Sequence, residues 1–334
     1  MRYDPHRSPF DLPVQALRFR LESRRPVCLP GGAGATAGTT LAGAFGNALM
    51  ESGCVRRLGG GRRCPLLRSG GLDCAFRAAC LLPRVHKPES AVHLRPFAAP
   101  ILLRAPELEG GESVEAFDLW VTLWGRRALL AREVAAAAIE RLAHVGLDTP
   151  GGREALEVTD AIVSPAASLA EAMGEFPGAR GDPVRVDTAT PLSLGRSTPS
   201  VPTRDAGVAW RAFSSALQNA AYELVAWDIE DREVGETMTR EDRDSCAEAA
   251  REACAEACAA ATCVAGRLEP VHLGGRMSRG QRTRLPLRGV SGFASLEGDL
   301  RGLAPWLTAA VLGRMGQLRS FGFGQVAVTA QTPR

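Results

Sequence analysis

Residues 115–163 decide the fold: "EAFDLWVTLWG" at 115–125, "LLAREVAAAAIERLAHVGL" at 129–147 and "EALEVTDAIV" at 154–163. In the first segment Phe117, Leu119, Val121 and Leu123 alternate with Asp118, Trp120, Thr122 and Trp124, the period of a strand with one buried face. The second segment has a helical period, with Leu130, Val134, Ala138 and Leu142 on one face and Gly146 as the stop. The third is a strand again. Upstream, "VQALRFRLES" (14–23) reads as a first strand and "TTLAGAFGNALMESG" (39–53) as a helix begun by Thr39 or Thr40. "VHLRPFAAPILLRA" (92–105) is a further strand. The resulting order, β-α-β-β-α-β, is the ferredoxin-like or RRM-like arrangement.

The order repeats downstream of a Gly/Pro-rich linker, "GEFPGARGDP" at 174–183. "VRVDTATPLSLG" (184–195) is a strand, and "GVAWRAFSSALQNAAYELVAWD" (207–228) a helix with Trp210, Phe213, Leu217, Ala221 and Leu224 inward. An extra helix lies at about 235–265, and two strands follow, "LEPVHLGGRMS" (268–278) and "GVSGFASLEG" (289–298). "LAPWLTAAVLGRMG" (303–316) is a helix, and "GFGQVAVTA" (322–330) the last strand. The expected fold is α+β. It has a domain at 1–173 with a cysteine-rich insertion at about 52–90, and a second domain at 184–334 ending in a glycine-rich loop.

Composition excludes some classes of function. Hydrophobic residues make up 45% of the 334, enough for real cores. No run of about 18 apolar residues exists, and "MRYDPHRSPFDLP" lacks the apolar centre of a signal peptide, so a cytoplasmic protein that does not enter membranes is expected. The net charge of +3 is no nucleic-acid signature. The identity of the cations is more telling, because Lys87 is the only lysine among 40 basic residues. Arginine suits bidentate phosphate contacts and stacking on bases, although a GC-rich genome gives the same bias. Only local arginine clusters carry weight.

Nine cysteines without a secretory signal argue against a disulfide framework. Cys246, Cys254, Cys258 and Cys263 lie in an alanine-rich segment, where Cys246, Ala250, Cys254 and Cys258 recur every four residues as small apolar groups on a packed face. Cys54, Cys64, Cys74 and Cys80 sit in a Gly/Arg-rich loop. They are either zinc ligands, though without the usual short Cys-x2-Cys pair, or reduced structural thiols.

Two further stretches draw attention. "GRMGQLRSFGFGQVAVTA" (313–330) places four glycines and two arginines, Arg314 and Arg319, beside the last strand. Gly316, Gly322 and Gly324 allow close backbone approach to a phosphate, or simply a tight turn. In "RMSRGQRTRLPLRGVSGFASLEGDL" (276–300), Arg276, Arg279, Arg282 and Arg284 line the strand pair. His144 ends a helix, where it favours the dipole. His86 and His93 flank the cysteine loop, and His272, four residues before Arg276, is the remaining candidate proton carrier.

With these motifs in this order, the chain resembles the CRISPR-associated endoribonucleases that process precursor CRISPR RNA, members of the repeat-associated RAMP superfamily. The match rests on the glycine-rich loop 316–324, on the 276–300 strand pair with its Gly-Asp-Leu, on "RPFAAPILL" with 115–147, and on "LAGAFGNALMESGC". The resemblance implies two ferredoxin-like domains and recognition of the repeat stem-loop. It also implies metal-independent cleavage by the 2′-hydroxyl beside the scissile phosphate, with no nucleotide cofactor, and partnership with other effector subunits. The arginine group and the loop, with Gly316, Arg319, Gly322 and Gly324, would then grip RNA, and Arg314 and His272 would serve cleavage.

The chain departs from that pattern at two places. Gly46-Asn47-Ala48-Leu49 stands where some relatives have Gly-His-Ala-Leu, and Arg314-Met315-Gly316-Gln317 where relatives often have His-Val-Gly-Lys. Neither Asn47 nor Arg314 exchanges a proton near neutral pH. A non-catalytic subunit that caps the guide RNA is the second reading. A tandem ferredoxin-like protein with a metabolite or protein ligand is the third.

Overall fold

The structure, a computed structural model, describes residues 9–28, 35–53, 100–104, 113–149, 152–172, 176–177, 182–231, 239–277, 284–316 and 324–331. The chain folds as two antiparallel sheets with helices. The first half runs β1 (Pro13–Cys28), α1 (Ala35–Gly53), β2 (Ile101–Arg104), β3 (Ser113–Trp124), α2 (Arg126–Leu130) and α3 (Arg132–Val145). A hairpin of β4 (Leu147–Thr149) and β5 (Gly152–Glu154) follows, then β6 (Leu156–Val163), β7 (Ala167–Ser168) and the short α4 (Leu169–Ala172). The sheet order is β2-β3-β1-β6, with β7 also pairing β1.

The second half runs β8 (Val184–Thr188), α5 (Ala206–Asp231), α6 (Arg240–Ala260), β9 (Ala261–Met277), β10 (Arg284–Gly298), α7 (Ala304–Gly313) and β11 (Val326–Ala330). Its sheet order is β11-β8-β10-β9. In both halves the first and third strands are central and the second and fourth lie at the edges. That is the ferredoxin-like topology, present twice. The extra element is α6, which starts at Thr239: the Thr239 hydroxyl accepts from Asp242 N–H at 3.1 Å while Asp242 accepts from Thr239 N–H at 3.2 Å, a capping box.

Alternation along β1 and β3 sends Leu17, Phe19, Leu21, Phe117, Leu119 and Val121 into a core shared with Phe45, Leu49, Ile139 and Leu142. The helical face differs from the expected one at its start. Leu130 is 74% exposed, because the helix breaks at Ala131 and the phase shifts. Ala135, Ala138, Ile139, Leu142 and Ala143 are the inward set. Gly146 does stop the helix, at φ 75°, with its N–H donating to Leu142 O at 2.9 Å. On α6, Cys254 and Cys258 are buried and Cys246 half-buried, as packed small groups; Cys263 lies on β9, outside the helix.

A second core joins the halves. It holds Leu12, Val14, Leu102 and Trp124 from the first together with Phe213, Leu217, Trp227 and Leu307 from the second. The Thr122 hydroxyl donates to Leu312 O at 3.0 Å, and Arg127 N–H donates to Asp231 at 3.2 Å, so the second half caps the start of α2. Phe10 meets Trp306 edge to face at 4.7 Å. Among the described residues, no helix is long and apolar enough to cross a membrane.

Candidate nucleic-acid interface

The longest feature of the second half is a two-stranded ribbon. β9 and β10 pair from Ala261 opposite Gly298 to Met277 opposite Arg284, with irregularities at Pro286/Arg288 and Ser295/Leu296. β8 supports only part of it, pairing Val184–Asp187 with Phe293–Leu296. Two isolated bridges extend that support, Leu192 to Val290 and Thr203 to Leu268. Beyond them the ribbon runs on without another strand among the described residues.

This overhang carries the basic residues singled out in the sequence. Arg276 stands opposite Leu285, Arg284 opposite Met277, and His272 opposite Arg288. Opposed residues of an antiparallel pair share a face, with Cβ atoms about 5 Å apart. His272 and Arg288 are both exposed, so an imidazole and a guanidinium stand side by side in solvent. Arg288 was not singled out in the sequence; only the register reveals it. Arg279 and Arg282 lie outside the described residues, between the two strands.

The ends of the glycine-rich loop are clamped inside the protein. Met315 N–H donates to Gly324 O at 2.9 Å, Gly324 N–H to Pro191 O at 3.0 Å, and Gly316 N–H to Ala216 O at 3.4 Å. Both glycines have φ 78°. A Cβ on Gly324 would fall 1.8 Å from Met315 O, and one on Gly316 would fall 2.7 Å from Ser193 O. Those two donors serve the protein itself, and of the two readings the sequence left open, phosphate approach or tight turn, the geometry at Gly316 and Gly324 is that of the turn. Arg319 and Gly322 lie outside the described residues.

Arg314 also differs from expectation. It has φ 63° and is 3% exposed. Burial, and then the charge of Arg104, push its pKa down to about 9. An interior guanidinium does not stand at the surface, where the expected direct role of Arg314 in cleavage would need it. Asn47, by contrast, is exposed on α1.

The cysteine-loop residues Cys54, Cys64, Cys74 and Cys80, and the histidines His86 and His93, lie outside the described residues. Among the described residues, no group of three or more His, Cys, Asp or Glu is placed to hold a metal ion. Sequence reading also missed a set on the sheet faces: Arg18 over the Trp120 ring and Arg185 over the Phe293 ring. Pairing across strands joins residues about a hundred positions apart, so no local pattern announces them.

Comparisons with known proteins bear on this geometry. The family model AF_1859_N, described as an N-terminal domain, matches residues 12–170. No curated protein sequence matches the chain. Among solved structures, the chain is similar to a partial Cas6-RT-Cas1–Cas2 complex, with 10% identity and a TM-score of 0.50 over 96% of this chain and 46% of that one. A Cas6 product complex aligns over 96% of this chain and 100% of that chain at 15% identity and a TM-score of 0.48. A Cas6-related protein from Pyrococcus furiosus covers 96% and 100% at 11% identity and 0.40. What the first of these establishes is architecture: the chain has the tandem ferredoxin-like fold found in a Cas6-containing complex.

Proposed function

We propose that the chain binds the repeat stem-loop of a CRISPR transcript and processes it, remaining on the product as a subunit of an effector complex in the cytoplasm. The observation that carries this reading is the overhanging β9–β10 ribbon, with Arg288 opposite the exposed His272 and Arg276 and Arg284 at register positions further along it. Arginines on a projecting ribbon suit phosphate, and duplex RNA is recognised mostly through its shape and its phosphate and 2′-hydroxyl contacts. Arg279, Arg282 and Arg319, which lie outside the described residues, are proposed as further RNA contacts. Likeness of fold to a Cas6-containing complex, together with the resemblance of the sequence to precursor-CRISPR-RNA processing enzymes, favours RNA as the ligand class.

The proposed cleavage needs no metal. The 2′-oxygen loses its proton and attacks the adjacent phosphorus, the P–O5′ bond breaks, and the products are a 2′,3′-cyclic phosphate and a 5′-hydroxyl that takes up a proton. His272 is the candidate for moving one of these protons, and Arg288 for steadying the charge on phosphorus. Cys54, Cys64, Cys74 and Cys80 are proposed as a structural zinc site, apart from the reaction.

A second reading is a non-catalytic subunit that caps the guide RNA. It is favoured by Asn47, which stands exposed where relatives have histidine, and by the burial of Arg314. Incubation of repeat hairpin RNA with the protein in excess EDTA separates the two. Site-specific cleavage that fails in His272→Ala supports processing; tight binding without cleavage supports capping. Absence of hairpin binding at any salt concentration overturns both.

A further inference from the structure

Each half of the molecule places an arginine of its first strand against an aromatic ring of its third. In the first half Leu17, Phe19 and Leu21 point into the helical core, so Arg18 and Arg20 occupy the opposite face of the sheet. Arg18 stands opposite Trp120 in the β1–β3 register, its guanidinium carbon 6.0 Å from the ring centroid. In the second half Val184 and Val186 are buried, so Arg185 and Asp187 take the opposite face. The Arg185 guanidinium lies 3.8 Å from the centre of the Phe293 ring. Both arginines and both rings are only part-buried.

An aspartate fixes each arginine. Asp118 accepts from Arg18 Nε at 3.1 Å and from Arg20 at 3.4 Å. Asp187 accepts from Arg185 Nε at 2.8 Å and from its terminal nitrogen at 2.8 Å. Both sheets thus bring a carboxylate-paired arginine of the first strand to an aromatic ring of the third, although the carboxylate comes from the third strand in the first half and from the first strand in the second.

A guanidinium already paired with a carboxylate is a poor anchor for phosphate, since its charge is spent locally. What remains on offer is a flat, polarisable surface on the two central strands. That is the place where sheets of this topology stack unpaired bases, which are tolerant partners because every base has a π-face. We propose that the open faces of the two sheets, centred on Arg18/Trp120 and Arg185/Phe293, are stacking platforms for single-stranded RNA, distinct from the ribbon that grips the duplex. This rests on RNA being the ligand. It adds a site for the unpaired segments of the same molecule.

The test uses the full chain and two probes: a single-stranded RNA of about ten nucleotides, within the usual span of such surfaces, and a hairpin without flanks. Trp120→Ala and Phe293→Ala, each with an unchanged thermal melt, are expected to weaken single-strand binding roughly tenfold. Hairpin binding stays as in wild type, and Trp120→Phe and Phe293→Tyr restore the loss. The dependence of log K on log salt stays unchanged, whereas giving up one neutralised phosphate lowers its slope by about 0.7. Independently of any variant, 5-iodouridine RNA irradiated on the wild-type protein crosslinks to Trp120 or Phe293.

A folded double variant that binds the single strand normally overturns the proposal. So does a wild type that binds no single-stranded RNA, or a slope that falls with each substitution. Loss of hairpin binding alone, with single-strand binding and its aromatic dependence intact, overturns the ribbon reading and leaves this one standing.

Discussion

The Trp124 and Trp227 rings lie 5.0 Å apart, centre to centre, with their planes tilted by 37°. Trp124 ends the third strand of the first sheet, and Trp227 sits near the end of the long helix of the second half. Gly313 closes the contact, since a Cβ there would come within 3.0 Å of the Trp124 ring. Trp124→Ala empties the centre of a core that both halves share, and is expected to cost about 3–5 kcal/mol. Denaturant titration followed by circular dichroism and by fluorescence should still give one coincident transition, at lower denaturant. Two separated transitions in the wild type would mean that the halves fold independently.

Gly324→Ala tests the clamp at the loop ends. At φ 78° and with Met315 O in the way, any side chain strains the turn and forces the Met315 bond apart. The expected loss exceeds about 1 kcal/mol, read as a lower melting temperature. Hairpin affinity, measured below that melt, should hold, because the Gly324 N–H belongs to Pro191 O.

Arg276→Ala with Arg284→Ala removes two charges from the ribbon near its tip. Hairpin binding should weaken, and its salt slope should fall by at most about 0.9 for each phosphate left unneutralised. Melting temperature serves as the control. An unchanged slope in the folded variant takes these two side chains out of the interface.

The cysteines separate by environment. Burial raises the Cys246 and Cys263 thiols, and Cys254 rises further because it donates to Cys258 in the interior. Raised values leave almost no thiolate at pH 7–8, so these three should react with a thiol reagent only at higher pH or after unfolding. Any fast reaction in the native protein then comes from the other cysteines. If Cys54, Cys64, Cys74 and Cys80 hold zinc, elemental analysis gives about one zinc per chain, and chelation exposes a fast-reacting set. A zinc-free, stable protein assigns them as ordinary thiols.

Much of the architecture was legible because the apolar period was long. Alternation over 117–123 and the repeat ending at Gly146 each needed only neighbours within a turn or two. Leu130 misled because one break, at Ala131, resets the phase of a helix that reads as continuous. The hairpin from Leu147 to Glu154 escaped notice because strands of three residues are too short to show a period. Arg314 read as a surface cation because charge usually is one, whereas the structure buries it at the start of the glycine-rich loop, a tertiary outcome that no local pattern announces. Register-borne pairs such as His272 with Arg288 became visible only once the strands were aligned.

The ribbon has a consequence for how this protein diverges. Among the described residues, neither core takes a side chain from the ribbon beyond Leu268 on one strand and Val290 on the other. Past those two points it still runs for about six residues or more on each strand, hence roughly 20 Å of chain. Outward of Leu287, whose side chain is buried, substitutions and changes of length are expected to leave folding untouched, so under the proposed function the projecting end is free to follow a changing target while the scaffold stays fixed. Lineages carrying this fold should differ most at that projecting end, and two that read different targets should exchange ribbon tips without exchanging anything else.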